Sequence, residues 1–388
     1  MRPIPPFRML DVLRGVAAAW VVMRHCSSRF ITSDNLHYAH EPLYFLALHG
    51  QLGVMFFFII SGYCITAAAY GALCSASPLW RFAFERTRRI YPPYLAALIL
   101  GVISVMVITF AGSHHLIAPV HHPPVLGNDA RYWIGNLFLL QFELHAQPMN
   151  VVFWSLCYEI AFYAVVGVWL WAAKWIASRR GLPTGRLLLV LGISLTTYLS
   201  LFSLILRGGA IFPFDLWHQF SLGGLFFFFI EFNPETITGY SNRLRWILNG
   251  SFALAVGLTV VHIYALRPDV DADISSSLSQ ASSITALLFL LLLLGLRRVD
   301  NLLASSPWMR PMLWLGACSY SLYLIHPEVV PFADILCRKA GLDGDRYWIA
   351  FWVQFTTAIV CGRVFYLGIE RHFISSGQKK RFREEHAG

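Results

Sequence analysis

Two arginines between the second and third apolar segments have the spacing of a binding site for an anion. Arg86 and Arg89 lie three residues apart in the stretch RFAFERTRRIYPPY, and side chains at i and i+3 project from the same face of a helix. Guanidinium groups bind phosphate through forked pairs of hydrogen bonds. The same arginines are also explained by topology, because basic residues collect beside membrane spans. The spacing alone leaves both interpretations open.

The first apolar segment contains an arginine and a histidine that would share a helical face. Arg14 and His25 are eleven residues apart, about three turns, so their axial separation would be about 16 Å. Ionisable groups within membrane segments are costly and are therefore candidates for function. The structural alternative is that Arg14 reaches the interface and pairs with Asp11, while His25 is a hydrogen-bonded interior histidine.

A carboxylate lies within the fourth apolar segment, in the stretch FWSLCYEIAFY. Ser155 and Glu159 are at i and i+4, so they share one face of a helix. A carboxylate at this depth must be protonated or paired, and a histidine or an arginine would serve as its partner. The sequence does not identify that partner.

The stretch ACSYSLYLIHP places three polar side chains on one helical face. Ser319, Tyr323 and His326 follow a spacing of four and three residues. His326 is predicted near the outer end of its helix. The alternative is that the helix ends at Pro327, which would leave His326 as an interfacial residue.

Small residues punctuate the phenylalanine-rich stretch GQLGVMFFFIISGYCIT. Gly50, Gly53, Ser61 and Gly62 interrupt its apolar run. Small residues in membrane helices usually allow close packing of neighbouring helices. We therefore expect this segment to have a packing role rather than a chemical one.

Metal chemistry has little support in the sequence. His114, His115, His121 and His122 resemble a metal-binding tract only in composition, since prolines intervene and no cysteine is near. The HExxH zinc motif, the glycine-rich phosphate loop and the GxSxG elbow are absent from the sequence. We expect no bound metal.

The composition places these residues in a membrane protein. Of the 388 residues, 57% are hydrophobic and 13% are charged, whereas an average soluble domain is about a quarter charged. The seven cysteines are odd in number and lie mostly within apolar runs, which indicates free thiols rather than a disulfide scaffold. The net charge of +9 is spread between apolar segments, so we expect no nucleic-acid partner.

Apolar segments of membrane-spanning length predict an all-α fold of ten transmembrane helices. The segment 132–146 is short and contains Gly135 and Asn136, so we interpret it as re-entrant or interfacial. The ten predicted spans are 9–29, 50–70, 91–111, 151–173, 187–206, 214–231, 246–266, 275–296, 311–330 and 347–370.

The distribution of basic residues predicts the orientation. With both termini in the cytoplasm, 21 of the 30 lysines and arginines fall on the inner side. His25, Glu159 and His326 then share the outer half of the membrane. The first apolar run is interrupted by Asp11 and Arg14, so we expect it to be retained as a helix rather than cleaved as a leader. Residues 1–374 form the predicted transmembrane domain, and residues 375–388 form a basic cytoplasmic tail.

The motifs described above, taken in order, resemble those of the acyltransferase-3 family of polytopic membrane acyltransferases, which modify bacterial surface glycans. The resemblance covers nearly the whole chain. The sequence departs from the family pattern at Arg371-His372, where a lysine-proline or similar pair is usual. The motifs are LDVLRGVAAAWVVMRHC, GVMFFFIISGYCIT, RTRRIYPPY, FWSLCYEIAFY, HQFSLGGLFF, SYSLYLIH and YLGIERHF.

The resemblance implies transfer of an acyl group, most often acetyl, from cytoplasmic acyl-CoA to a carbohydrate hydroxyl at the outer face of the bacterial inner membrane. By this resemblance, Arg14, Arg86 and Arg89 would bind the CoA phosphates, and His25 would act as general base or carry the acyl group. Neither the acceptor nor the oligomeric state is readable from sequence, and any hand-off to a second domain would need a separate periplasmic protein.

The remaining predicted site residues would act around His25. Glu159 would orient a histidine and stabilise its cation. Tyr323 or His326 would bind the sugar or the developing oxyanion. The rival classes are a transporter or flippase of a glycan, which typically shows two related halves of broken helices, and a membrane sensor or scaffold, which would not need this set of ionisable groups.

Overall fold

A computed structural model describes residues 7–27, 42–115, 117, 125–207, 211–231, 242–265, 274–304, 306–342 and 346–374. Every regular element in these ranges is helical, which confirms the predicted all-α class. The helices are α1 (Met9–Cys26), α2 (Pro42–Leu48), α3 (Gly53–Ala72), α4 (Pro78–Ser113), α5 (Ala130–Phe138), α6 (Trp154–Arg180), α7 (Leu182–Arg207), α8 (Trp217–Glu231), α9 (Asn242–Ala265), α10 (Ile274–Ala304), α11 (Arg310–Ala317), α12 (Ser319–Lys339) and α13 (Tyr347–Gly368).

Seven helical segments in the described part of the chain are long and apolar enough to cross a membrane, whereas the sequence predicted ten. The first predicted span, α1, is 18 residues long and carries three charged side chains, Asp11, Arg14 and Arg24. The sixth, α8, has only 15 residues. The ninth is divided into α11 and α12. The seven are Gly50–Ala72, Pro78–Ser113, Val151–Arg180, Leu182–Leu206, Arg245–Tyr264, Gln280–Asp300 and Tyr347–His372.

Two helices run further through prolines than the predicted spans 91–111 and 311–330, and the alternative of a helix end at Pro327 is wrong. Helix α4 begins at Pro78 and contains Pro92 and Pro93, so the arginine stretch lies on the helix rather than in a loop before it. Helix α12 continues through Pro327 and Pro331 to Lys339, which places His326 within the helix instead of near its end. Membrane helices tolerate proline because neighbouring groups satisfy the freed carbonyls.

The described residues divide into two compact units. The first unit comprises residues 1–10, 54–84 and 158–309. Helices α7, α8 and α9 pack against one another in it, and α10 packs on α8 and α9. Stacked rings fill its centre, where Phe220 lies 4.3 Å from Phe58 and 4.9 Å from Phe162 between ring centroids. The absence of a side chain at Gly62 lets α3 approach α8 closely, since a Cβ there would lie 1.7 Å from the Phe220 carbonyl oxygen.

The second unit comprises residues 11–53, 85–157 and 310–388. Helices α12 and α13 form its main packed pair. Helix α1 approaches α11 at two glycines: a Cβ on Gly316 would lie 1.9 Å from the Asp11 carbonyl oxygen, and one on Gly15 would lie 2.6 Å from the Met312 carbonyl oxygen. A Cβ on Gly50 would likewise lie 2.1 Å from the Trp20 carbonyl oxygen. The predicted packing role is confirmed for Gly50, Gly53 and Gly62.

Substituting Gly316 tests this close contact. Gly316→Ala forces α1 away from α11, and overpacking of this kind costs about 1–3 kcal/mol. We expect a lower thermal transition and less folded protein in detergent, measured by size-exclusion chromatography after heating. Gly257→Ala in α9 is the matched control, because nothing lies within 4 Å of a Cβ at that position. Equal behaviour of the two variants would contradict the contact.

Candidate functional site

The second unit brings two of the predicted histidines together. His25 lies in the last turn of α1 and His326 lies within α12. Their ring centroids are 4.8 Å apart, with the rings inclined by 62° in an edge-to-face arrangement. His326 is fully buried, at 0% exposure, whereas His25 is half buried. The half-buried ring of His25 is therefore the one that a reactant reaches first.

The Nδ1 atom of His326 is a hydrogen-bond donor. It lies 3.1 Å from the Leu322 carbonyl oxygen, and because a carbonyl only accepts, Nδ1 carries the hydrogen in this bond. In the neutral ring Nε2 then has a free lone pair. This Nε2 is buried and has no hydrogen-bond partner. A buried acceptor without a partner is destabilising, so His326 presents an unused base beside His25.

The Tyr323 hydroxyl is bound within the protein, and its predicted role at the sugar or the oxyanion stays a prediction. Its hydroxyl donates to the Val152 carbonyl oxygen at 3.1 Å and lies 2.7 Å from the Ser155 hydroxyl. Its ring centroid is 5.9 Å from that of His326. Because the phenolic hydrogen is already bound within the protein, the geometry does not support Tyr323 as a donor to a sugar or an oxyanion. It favours a role in positioning α12.

The predicted arginines of the second unit lie on half-buried positions. Arg14 pairs with Asp11 at 3.7 Å, as its structural interpretation expected. Arg86 and Arg89 are both half buried on α4, while the intervening Arg88 is exposed, which confirms that the first two share a face. The Arg86 Nε is buried without a hydrogen-bond partner, so this guanidinium retains an unused donor.

Glu370 is a site residue that the sequence reasoning missed. It follows α13, in a short 3-10 helix, and is 4% exposed. Its Oε2 accepts hydrogen bonds from the backbone N–H of Ser321, at 3.1 Å, and from the Ser321 hydroxyl. Arg89 and Arg14 interact with it electrostatically. The signal that could have found it is a glutamate placed directly after an apolar span, in YLGIERHF.

Glu370 substitutes for a missing helix cap. Helix α12 starts at Ser319, and the side chain of its N-cap residue, Cys318, makes no capping hydrogen bond. The first N–H groups of a helix need acceptors, and negative charge at this end is favourable. The Glu370 carboxylate supplies both. Glu370 therefore links the arginines to the start of α12. His326 lies on the same helix, about 7.5 Å beyond Ser321 at ~1.5 Å per residue.

Glu159 belongs to the first unit. Its Oε1 accepts a hydrogen bond from the Tyr163 hydroxyl at 2.6 Å and from the Ser61 hydroxyl at 3.4 Å. These partners are hydroxyl groups rather than a histidine or an arginine. They show how a carboxylate is accommodated in a membrane helix, and the predicted role of Glu159 in orienting a histidine stays a prediction.

The described residues contain no group of three or more histidine, cysteine, aspartate or glutamate side chains that could hold a metal ion. His114 and His115 follow the end of α4. His121 and His122 lie outside the described residues. The expectation that no metal is bound therefore stays a prediction.

Comparison with known proteins identifies one family. A family model described as an acyltransferase domain matches residues 7–366. No curated protein and no solved structure matches the chain. The matched range includes every predicted site residue but ends four residues before Glu370.

Removing the Glu370 carboxylate tests the capping role. Glu370→Ala leaves the buried Ser321 donors without an acceptor, a loss of about 1–3 kcal/mol, and Glu370→Gln should lose less because its amide oxygen still accepts. The measurement is thermal or urea denaturation of the purified protein in detergent. The control is Glu143→Ala, at an exposed glutamate. If Glu370→Ala were as stable as this control, Glu370 would not cap α12.

Proposed function

Because the chain belongs to this acyltransferase family and has several membrane-spanning helices, we propose that it moves an acyl group, acetyl in the first instance, from acyl-CoA to a carbohydrate hydroxyl. The acceptor is a polysaccharide, an O-antigen or a lipid-linked glycan. The observation that carries this proposal within the chain is the contact between His25 and His326, where two imidazoles and an unused nitrogen lie together.

The proposed topology has ten crossings and cytoplasmic termini in the bacterial inner membrane, with residues 1–374 as the transmembrane domain and 375–388 as a basic tail. Helices α1 and α8 and the α11–α12 pair would supply the crossings beyond the seven apolar helices. Support comes from the basic residues, most of which fall on the inner side in this arrangement. The donor then binds from the cytoplasm and the glycan from outside. A nucleic-acid partner is not part of the proposal, and handover to a second domain would need a separate periplasmic protein.

The donor phosphates would bind at the arginine end of the second unit. Arg86 and Arg89 share a face, and Arg14 and Arg89 both interact with Glu370. The buried Glu370 carboxylate favours both guanidinium groups near the start of α12, and phosphate oxygens would accept their remaining hydrogen bonds. Arg14 and His25 are on one helix with an axial separation of about 16 Å, which is within reach of an extended pantetheine arm.

The chemical step would take place at His25. As the acceptor oxygen attacks the thioester carbonyl carbon, His25 takes the hydroxyl proton. The C–S bond then breaks, an ester forms, and the proton passes to the CoA thiolate to give the free thiol. Buried His326 lies edge-on to His25 and its Nε2 acts as a second proton acceptor. Transient attachment of the acyl group to the His25 imidazole is the other route, and it gives the same products.

Donor binding depends on the half-buried arginines in this proposal. Replacing both Arg86 and Arg89 with glutamine should weaken acyl-CoA binding by about tenfold or more, because charge-assisted hydrogen bonds contribute about 1.5–3 kcal/mol each. The measurement is isothermal titration of the protein in nanodiscs with acetyl-CoA. Arg88→Gln removes an exposed arginine from the same helix and should change the dissociation constant less than threefold. Unchanged affinity in the double variant would mean that both arginines only orient the protein in the membrane.

Acyl transfer depends on His25. His25→Ala should lower glycan acylation in cells by at least 100-fold, since general-base catalysis contributes about 10²–10⁴. Acylation is measured by mass spectrometry of the surface glycans, at equal amounts of the protein in the membrane. His145→Ala, at an exposed histidine, is the control and should be fully active. Wild-type acylation by His25→Ala would exclude the proposed role.

A further inference from the structure

The first unit contains a polar cluster of its own at one end of its helices. The turn 211–216 joins α7 to α8 and is mostly half buried. In this turn the Asp215 Oδ2 accepts a hydrogen bond from the Tyr158 hydroxyl at 2.6 Å. Tyr158 lies near the start of α6, and its ring is 4.8 Å from that of Phe212. The Asp215 carboxylate is therefore held by the Tyr158 hydroxyl and by the backbone N–H groups of Asp215 and Leu216.

Two buried histidines continue this cluster one turn further into the helices. His218 on α8 and His262 on α9 are each 1% exposed, and their ring centroids are 5.8 Å apart. His218 Nε2 lies 3.3 Å from the hydroxyl of Ser283 on α10. His218 also interacts with the backbone of Asp215, whereas neither nitrogen of His262 has a hydrogen-bond partner. Both ring nitrogens of His262 are thus buried and unused.

Packing alone does not explain why polar atoms of this cluster are buried without hydrogen-bond partners. A buried polar atom without a partner is destabilising, and most such atoms in folded proteins are satisfied by protein groups or by ordered water. A molecule that supplies hydrogen bonds to this cluster would relieve the cost at several atoms together.

The chemistry of the cluster selects an uncharged ligand with hydroxyl groups. A neutral imidazole offers one donor and one acceptor, and a sugar hydroxyl is likewise both. Neither arginine nor lysine is among the groups that perturb Asp215, His218 or His262 in the described part of the chain. An anionic ligand would therefore meet a carboxylate without a compensating cation. A metal would lack ligands, since no cluster of three suitable side chains occurs among the described residues.

We propose that Asp215, His218 and His262 form the subsite of the first unit that recognises neutral sugar hydroxyls of the glycan acceptor. Asp215 accepts hydrogen bonds from hydroxyls at the half-buried turn, and the aromatic rings of Tyr158 and Phe212 flank it. His218 and His262 bind the sugar's deeper hydroxyls, directly or through water. The assignment of this sugar as the acceptor rests on the proposed function, whereas the binding itself is independent of any acyl transfer.

The test measures sugar binding without a donor. The purified full-length protein in nanodiscs is titrated with neutral methyl glycosides of glucose, galactose and mannose, and with the methyl glucuronide, by saturation-transfer NMR. We expect at least one neutral glycoside to bind, and the glucuronide to bind at least fivefold more weakly than the neutral glucoside. Asp215→Asn should weaken neutral binding at least tenfold. Tyr158→Phe, which keeps the carboxylate but removes its fixed hydrogen bond, should weaken it about threefold.

The matched control is Asp334→Asn, which changes an aspartate of the second unit that hydrogen-bonds to Gln354 and Arg338; it should leave affinity within twofold of wild type. The subsite is overturned if none of the three neutral glycosides binds the wild-type protein, if Asp215→Asn and Tyr158→Phe both bind as wild type, or if the glucuronide binds more tightly than the glucoside. Measuring acetyl-CoA turnover on the same samples distinguishes failure of the proposed acyl transfer from failure of the proposed sugar subsite. Glycoside binding without turnover counts against acyl transfer alone, and turnover without glycoside binding counts against this subsite alone.

Discussion

The close approach of α1 to α11 is the constraint on which the geometry of the second unit depends. Helix backbones meet at Gly15 and Gly316, where a Cβ on Gly316 would lie 1.9 Å from the Asp11 carbonyl oxygen. Once this contact fixes α1 beside α11, the short link through Cys318 carries the chain directly into α12. Arg14 then lies near Glu370, which caps α12. His25 contacts His326 further along α12. One contact between two glycines thus sets both ends of the proposed reaction path.

Ionisable groups in the second unit are sorted along its helices. Arg14 and Arg89 interact electrostatically with Glu370 at the start of α12, and His25 contacts His326 further along α12. Glu370 is almost fully buried, and a carboxylate in that position needs cations, hydrogen-bond donors and a helix N-terminus to offset its desolvation. All three are present, through Arg14 and Arg89, Ser321 and α12 itself.

The sequence predicts what depends on spacing within one helix, and misses what depends on pairing between helices. The shared face of Arg86 and Arg89 and the Arg14–Asp11 pair follow from helical periodicity, and both were found. The alternative of a helix end at Pro327 was wrong, because membrane helices tolerate proline better than helices in water do. The Ser321–Glu370 and His25–His326 contacts join residues far apart in the chain, so periodicity does not contain them. Tyr323 shares a face with His326 as predicted, but its hydroxyl is bound to Val152, which only tertiary structure shows.

The most direct test of acyl transfer follows both the acetyl group and the CoA of the donor. Purified protein in vesicles is incubated with acetyl-CoA labelled in the acetyl group, and the release of CoA thiol is counted against the label found as ester on the glycan. The account predicts one thiol released for each ester formed, and neither product without the protein. Movement of the glycan across the bilayer with the thioester intact would contradict it, and would identify the chain's activity as transport rather than acyl transfer.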